Sequence, residues 1–122
     1  MTRKAKDPAT LIPLKQSIYR VLLALPDGEL LHGYAIMQAV SAMTDGRETI
    51  LPGTLYAALA RMADEGLVDE REGPDDDPSG GPKRRYYRRT SFGRAVARAE
   101  SERLRALLDI AVAQKIVREG KG

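Results

Sequence analysis

The residues of this sequence that are best suited to chemistry are cations for binding, not catalytic groups. There is no cysteine and only one histidine, His32, so the chain offers no thiolate nucleophile, no disulfide and no multi-histidine metal site. A lone histidine at the start of a helix is more often a capping or packing residue than a catalyst. No nucleophile–base pair, metal cluster or phosphate-binding loop accompanies it. We therefore expect a protein that is not an enzyme and has no metal or cofactor.

The strongest candidate for binding chemistry is the run Lys83-Arg84-Arg85, which follows a stretch rich in glycine and proline. Three cations beside a flexible loop can follow the phosphates of a nucleic acid. The alternative is that they only offset Asp75–Asp77. Over a longer range, residues 64–77 carry a net charge of −7 and residues 78–105 a net charge of +7. This predicts two differently charged surfaces, of which the basic one suits a polyanion such as double-stranded DNA.

A second candidate site is one face of a helix predicted to start near Pro52, since proline is favoured at a first helical position. A period of 3.6 residues places Leu55, Leu59 and Met62 on the buried side. Small side chains on the other side would let the helix approach base edges closely, and a threonine hydroxyl can bond to a base or a phosphate. The candidate face and its boundary carry Gly53, Thr54, Tyr56, Ala57 and Arg61.

Each of these positions also has a purely structural interpretation. Thr54 could serve only as a helix cap, and the Tyr56 ring could fill a gap between helices instead of presenting its hydroxyl. Arg61 could pair with Asp64 or Glu65 at helical spacing. On the first predicted helix, three further residues could touch phosphate: Lys15, Gln16 and Tyr19.

Hydrophobic periodicity and turn signals outline the elements that position these residues. A first helix is predicted between Pro13 and Leu25, and a second from about His32 to Thr44. The third helix ends at Gly66, which suits a left-handed C-terminal cap. The apolar positions of the first two helices are Ile18, Val21, Leu22 and Leu25, then Tyr34, Ile36, Met37 and Val40.

A β-hairpin and a long helix are predicted after the third helix. Residues 67–72 and 83–89 read as two strands joined by the loop 73–82. Strand alternation puts only one of Tyr86 and Tyr87 in the core. Thr90 is a good N-cap for a final helix that runs to about Arg118.

The final helix presents an apolar stripe that a single small chain cannot cover. A chain of 122 residues supports one compact core, so self-association is the simplest way to bury the stripe, and a twofold dimer is the commonest oligomer. No apolar run is long enough for a membrane span or a secretory signal, so we expect a cytoplasmic protein with no membrane partner. The stripe consists of Leu104, Leu107, Leu108 and Ala111.

Three short helices followed by a hairpin are the parts of a winged helix-turn-helix. The predicted fold class is mainly α with a small antiparallel β-hairpin. Residues 1–10 are expected to form a flexible basic arm, residues 11–89 the winged helix-turn-helix, and residues 90–122 a long C-terminal dimerisation helix. In this arrangement the third helix can enter the major groove of DNA, and the hairpin is the wing.

Several short motifs sharpen this prediction because they follow one another in a fixed order. They are Leu31-His32-Gly33-Tyr34, Gly53-Thr54-Leu55-Tyr56, Glu65-Gly66-Leu67-Val68, the wing residues 81–88, and Thr90 with Gly93. Over roughly Ile18 to Arg98, this series resembles the PadR-like family of winged helix-turn-helix transcriptional regulators.

The resemblance implies a bacterial or archaeal DNA-binding protein, usually a repressor, that acts as a homodimer. Members with one C-terminal helix use it to contact the partner's N-terminal helix. The matched motifs favour a DNA-facing hydroxyl on Tyr56 and a buried Tyr87. Relatives sense phenolic acids, drugs or other signals, which leaves room for a small-molecule effector of unknown identity. The lack of tryptophan argues against an aromatic sandwich for it, although Tyr19 or Tyr34 could line a pocket.

Two departures from the family pattern lead to expectations of their own. Arg89 stands where the family usually has an apolar residue, so its guanidinium must reach solvent or a carboxylate. The wing tip carries Asp75–Asp77, which phosphates would repel. The wing's DNA contacts are therefore expected on its returning strand and not at its tip.

The leading hypothesis is a sequence-specific DNA-binding transcriptional regulator, a repressor, that acts as a homodimer on a pseudo-palindromic operator. The alternative is a winged-helix protein-interaction module without specific DNA binding, which would dock a partner through the acidic residues 64–77. For the leading hypothesis, the expected DNA contacts are Gly53, Thr54, Tyr56, Ala57, Arg61, Lys83, Arg84 and Arg85.

Overall fold

Three short helices, a small sheet and a long fourth helix follow one another along the residues that the structure, a computed structural model, describes: 7–73 and 84–118. This order confirms the predicted fold class, a mainly helical winged helix-turn-helix with a long C-terminal helix. The elements are a 3-10 helix (Pro8–Leu11), α1 (Gln16–Ala24), β1 (Leu31–His32), α2 (Gly33–Met43), α3 (Pro52–Asp64), β2 (Val68–Glu72), β3 (Arg85–Arg89) and α4 (Ser91–Ala113).

The sheet is antiparallel and has the strand order β1-β3-β2. The β2–β3 pair is the predicted hairpin, and its register sets Val68 opposite Arg89 and Glu72 opposite Arg85. The third strand, β1, was not predicted, because two residues are too few to show alternation. The wing tip, with Lys83 and Asp75–Asp77, lies outside the described residues.

The core lies between the first three helices, the hairpin and the first turns of α4. The predicted stripes of α1 and α3 are buried, as are Ile36 and Val40 of α2. The choice between the two adjacent tyrosines is confirmed, because Tyr87 is only 5% exposed. Tyr34 was predicted among the apolar positions of α2 but is 62% exposed, since it lies in the first turn, away from the buried face.

Both ends of α3 follow from local sequence signals. The helix begins at Pro52, and Gly66 adopts a positive φ of +77° just beyond its end, as predicted for a left-handed cap. Ile50 and Leu55 flank the start and both lie in the core. Their spacing is that of a hydrophobic staple, which fixes the direction in which the chain enters the helix.

The start of α4 is held against the turn that follows α3. The Thr90 side chain accepts a hydrogen bond from the Gly93 N–H at 2.9 Å and donates one to the Gly66 carbonyl at 2.7 Å. A Cβ atom on Gly93 would collide with the Leu67 carbonyl oxygen, so this close approach needs glycine. The predicted Thr90 cap is thus confirmed, and it also connects the turn after α3 to the long helix.

Arg89 satisfies its charge with a carboxylate, one of the two outcomes expected for it. Its guanidinium bonds to Asp27 at 2.8 Å and donates to the Leu22 carbonyl at 2.8 Å. Arg94 from α4 reaches the same carboxylate. The hydrogen bond from Arg89 is the main cause that lowers the pKa of Asp27 below its ordinary value.

The helix ends differ from the prediction at three places. Residues 8–10 of the predicted arm belong to the 3-10 helix, which Asp7 caps and which packs against α4. α1 begins at Gln16, three residues after the predicted proline start. α4 ends at Ala113 and not near Arg118, because Lys115 adopts a positive φ of 61° and the next N–H bonds back to the Ala111 carbonyl. Among the described residues, no helix is both long and apolar enough to cross a bilayer.

Candidate nucleic-acid interface

One face of α3 is open and built from small or polar side chains. Leu55, Ala58, Leu59 and Met62 are buried on the other side, so the five predicted positions of this helix share the exposed surface. The N-cap is Leu51, and no side-chain hydrogen bond caps the helix, so the interpretation of Thr54 as a helix cap is wrong. The exposed positions are Gly53, Thr54, Tyr56, Ala57 and Arg61.

Tyr56 packs between α2 and α3, one of the two roles that the sequence left open for it. Its ring leans against the start of α2, where a Cβ atom on Gly33 would collide with the tyrosine hydroxyl. Half of the residue is nevertheless exposed. The glycine therefore lets the ring and its hydroxyl pack against the start of α2, and the orientation of this hydroxyl toward DNA stays a prediction.

A cavity of about 510 Å³ joins this end of α3 to the wing. It brings together Tyr56 with Arg84 and Arg85, which are far apart in sequence. His32 lies in its wall as a cap and a packing residue: its Nδ1 accepts the Ala35 N–H at 3.2 Å, and its ring meets Tyr86 edge to face. The lining residues are His32, Gly33, Tyr34, Tyr56, Arg84, Arg85 and Tyr87.

Tyr34 lines this cavity, as the sequence suggested that it could line a pocket, but it was not among the expected DNA contacts. Its aromatic ring counted as an apolar residue in the periodicity of α2, although its place in Leu31-His32-Gly33-Tyr34 put it in the first turn. The signal that could have found it is that position, since side chains there point toward the same opening as Tyr56. Tyr34 adds an exposed hydroxyl beside the wing cations.

A second groove, of about 330 Å³, borders the other flank of α3. Lys15, at the start of α1, lines it together with Thr54, Ala57 and Arg61. Tyr19 bonds to Ser101 of α4 at 2.7 Å, and Gln16 accepts from Arg20. Of the three residues on the first helix that could touch phosphate, only Lys15 therefore lines this groove, whereas Tyr19 bonds to α4 and Gln16 bonds within α1.

The prediction of two differently charged surfaces is wrong for the described residues, because the acidic and basic runs do not separate. Antiparallel pairing interleaves them, so Arg85 bonds to Glu70 at 3.1 Å and Arg88 to Asp69 at 3.3 Å. On α3, Arg61 pairs with Glu65 at 3.0 Å, one of the two partners suggested by its spacing. Exposed pairs of this kind contribute at most about 1 kcal/mol. A phosphate group can therefore replace the carboxylate at little cost.

Tyr87 holds one of these carboxylates, that of Glu70, in place. Its hydroxyl donates to Glu70 at 3.3 Å, and burial together with the nearby negative charge raises the pKa of the phenol. The phenol thus stays protonated as a donor. Glu70 is held in place and in turn positions Arg85 at the start of β3, the central strand of the sheet.

The second half of α4 has an apolar face that the other described residues leave largely exposed. The buried residues of the helix are Gly93, Val96, Ala97 and Glu100, and none follows Glu100. Leu104 is 37% exposed, and Leu107 and Leu108 are 53% and 51% exposed; Ala111 is half-buried. Next to this stripe, a cavity of about 530 Å³ is lined by residues that include Tyr19, Leu23, Met43 and Leu104.

These features define a class of protein, the winged helix-turn-helix proteins, in which a helix with an open face is flanked by a β-wing. The family model of the transcriptional regulator PadR-like family matches residues 17–99. The chain belongs to this family. Its members are transcriptional regulators and not enzymes, as the lack of a catalytic constellation predicted.

Several known proteins are similar to this chain. A transcriptional regulator from Clostridium thermocellum superposes with a TM-score of 0.66 at 26% identity, over 84% of this chain and 90% of that one. PadR from Bacillus subtilis, solved in complex with operator DNA, gives a TM-score of 0.58 at 20% identity, over 75% and 48% of the two chains. An uncharacterised protein from Lysinibacillus sphaericus is 39% identical over 64 residues, which span 52% of this chain and 56% of that relative.

Proposed function

We propose that this protein is a sequence-specific DNA-binding regulator, a repressor, that acts as a homodimer on a pseudo-palindromic operator. The observation that carries the proposal is the small, open face of α3, with Lys15 along one flank and Arg84 and Arg85 along the other. An α-helix fits the major groove, which is about 12 Å wide, when its exposed side chains are short. The Bacillus subtilis relative with this fold binds operator DNA.

The contacts divide between the helix and its flanks. Thr54, Tyr56 and Ala57 face the base edges, with Gly53 allowing close approach. Phosphates are bound on either side by cations and hydroxyls that lie further from the helix axis. Such contacts fix the register of the protein on DNA without reading its sequence. This second group comprises Lys15, Tyr34, Arg61, Lys83, Arg84 and Arg85, of which Lys83 lies outside the described residues.

The dimer forms through the apolar face of α4. Leu104, Leu107, Leu108 and Ala111 pack against the N-terminal helix of a second copy, where Leu23 of α1 is also exposed. Twofold symmetry presents two α3 helices to DNA, so the half-sites lie about 34–36 Å apart or a multiple of this distance. A small-molecule effector that alters the dimer would change that spacing, and with it operator affinity.

The protein-interaction alternative is less well supported by the same contacts. It requires a free acidic surface over residues 64–77, yet Glu65, Asp69 and Glu70 are each paired with an arginine. These carboxylates hold the cations of the α3 flank and the wing. Their role in the proposed function is to orient the phosphate-binding side chains.

The test uses DNA selected by the purified protein from a random pool, and a charge placed on the α3 face. Ala57→Glu should abolish specific binding, because a carboxylate against the groove is repelled by phosphates. Ala106→Glu adds the same charge to an exposed position on α4, away from the apolar stripe, and should bind normally. Fluorescence anisotropy on selected and random duplexes measures both. Equal binding by Ala57→Glu and the unmodified protein would contradict the proposal.

A further inference from the structure

Leu51, directly before α3, is among the most exposed apolar side chains that the structure describes. It is 71% exposed and lies immediately before Pro52, the first residue of the helix. It occupies the N-cap position, with an extended backbone and no side-chain hydrogen bond to the helix. Single exposed leucines are common on protein surfaces, but this one stands at the N-terminal end of the helix whose open face is the candidate interface.

Local stability does not explain a leucine here. Serine, threonine, aspartate and asparagine are preferred at an N-cap because they accept a hydrogen bond from a free N–H of the first turn, which leucine cannot do. The apolar contact at the helix entrance is already supplied by Ile50 and Leu55, which are 9% and 0% exposed. Leu51 therefore neither caps the helix nor helps to fix its entrance.

The position of Leu51 next to the open face of α3 points to a ligand outside the chain. Gly53, Thr54 and Ala57 follow it on that face, and they present no bulky side chain that would keep Leu51 from the groove. The residues at the start of a recognition helix are the ones that reach base edges. The apolar group that a base edge offers in the major groove is the 5-methyl group of thymine.

We propose that Leu51 determines part of the operator sequence by packing against a thymine 5-methyl group in each half-site. The inference rests on the proposed function, in which α3 enters the major groove. It adds a large apolar contact to a surface whose other members are small or can form hydrogen bonds or ion pairs. The contact buries two hydrocarbon surfaces and needs no donor or acceptor, so it distinguishes thymine from uracil as well as from the other bases.

The experiment removes the methyl group without changing base pairing. Each thymine of a selected operator duplex is replaced singly by deoxyuridine, and anisotropy measures the affinity of the unmodified protein. We expect one thymine per half-site to weaken binding about fourfold when its methyl is removed, the factor that corresponds to one buried methyl-sized group. At that position only, Leu51→Ser should bind the duplex with thymine and the duplex with deoxyuridine with equal affinity. Leu51→Met, which keeps an apolar side chain, should retain the difference.

A melting curve separates a folding defect from a lost contact. Leu51→Ser restores a favoured cap residue, so its melting temperature should equal or exceed that of the unmodified protein. A lower melting temperature would place Leu51 in the fold and overturn the inference. Specific operator binding with no methyl effect that depends on Leu51 would also overturn it while leaving the proposed function intact. Failure to bind any selected DNA would instead contradict the proposed function itself.

Discussion

Arg89 and Asp27 illustrate how a charged side chain is accommodated beside the core. The Arg89 side chain is 12% exposed, and it donates hydrogen bonds to one carboxylate and one backbone carbonyl. The same carboxylate receives Arg94 from α4. Three segments meet at this point: the loop after α1, the last residue of β3 and the first turn of α4. The cluster therefore sets the wing relative to the long helix.

Removing the Asp27 charge should lower the melting temperature and change its pH dependence. Folding lowers the pKa of Asp27 below its ordinary value of 3.8, so its stabilising effect is complete above that value and is lost as the pH falls through the folded-state pKa. The melting temperature of the unmodified protein should thus fall more steeply below pH 4 than that of Asp27→Asn. Calorimetry from pH 7 to pH 3 measures this, with Asp109→Asn as the control. Parallel curves for Asp27→Asn and the unmodified protein would contradict the role assigned to the cluster.

At the scale of elements, α3 and the wing should contribute differently to binding. Arg85→Ala should weaken operator and random DNA together and reduce the salt slope by about one unit, because a phosphate contact releases counterions from any sequence. Thr54→Ala should reduce the free-energy preference for operator over random DNA by about 1–3 kcal/mol, the range for a good base contact. Anisotropy across a salt series on both duplexes compares them. A wing variant with an unchanged salt slope would show that this strand lies away from the DNA backbone.

The apolar face of α4 should control assembly without controlling folding. Leu107 is 53% exposed in the single chain, so Leu107→Glu should leave the fold intact. Each lost leucine contact costs roughly 1.5–3 kcal/mol, and twofold symmetry doubles the loss. Light scattering should therefore show that Leu107→Glu is a monomer, and its circular dichroism spectrum should be that of the unmodified protein. Ala106→Glu should remain dimeric. A stable monomer in the unmodified protein would refute the assignment of this face.

Much of the fold was predictable because its elements have strong local signals. The stripe of α3, the Gly66 cap, the Thr90 cap and the hairpin all follow from periodicity and turn chemistry. What failed depends on tertiary context. Two residues of β1 pair with β3 only after folding, and the end of α4 is set by the positive φ of Lys115. No residue pattern shows either in advance.

The candidate site was predictable in part, for a physical reason. A helix period separates the open face of α3 from its buried face, so those five positions were found from the sequence alone. The pairing of Arg85 with Glu70 and of Arg88 with Asp69 depends on strand register, which the long loop 73–82 did not specify. Runs of opposite charge therefore predicted two surfaces where the folded chain forms alternating pairs.

At the scale of the whole molecule, the central claim is that two copies read one operator through paired α3 helices. Hydroxyl-radical footprinting of the selected DNA tests it most directly, because it maps protection along both strands. We expect two protected half-sites related by a twofold axis, with centres about 34–36 Å apart or a multiple of that distance. Ala57→Glu should protect neither half-site. A single asymmetric protected site, or uniform protection without sequence preference, would contradict the claim.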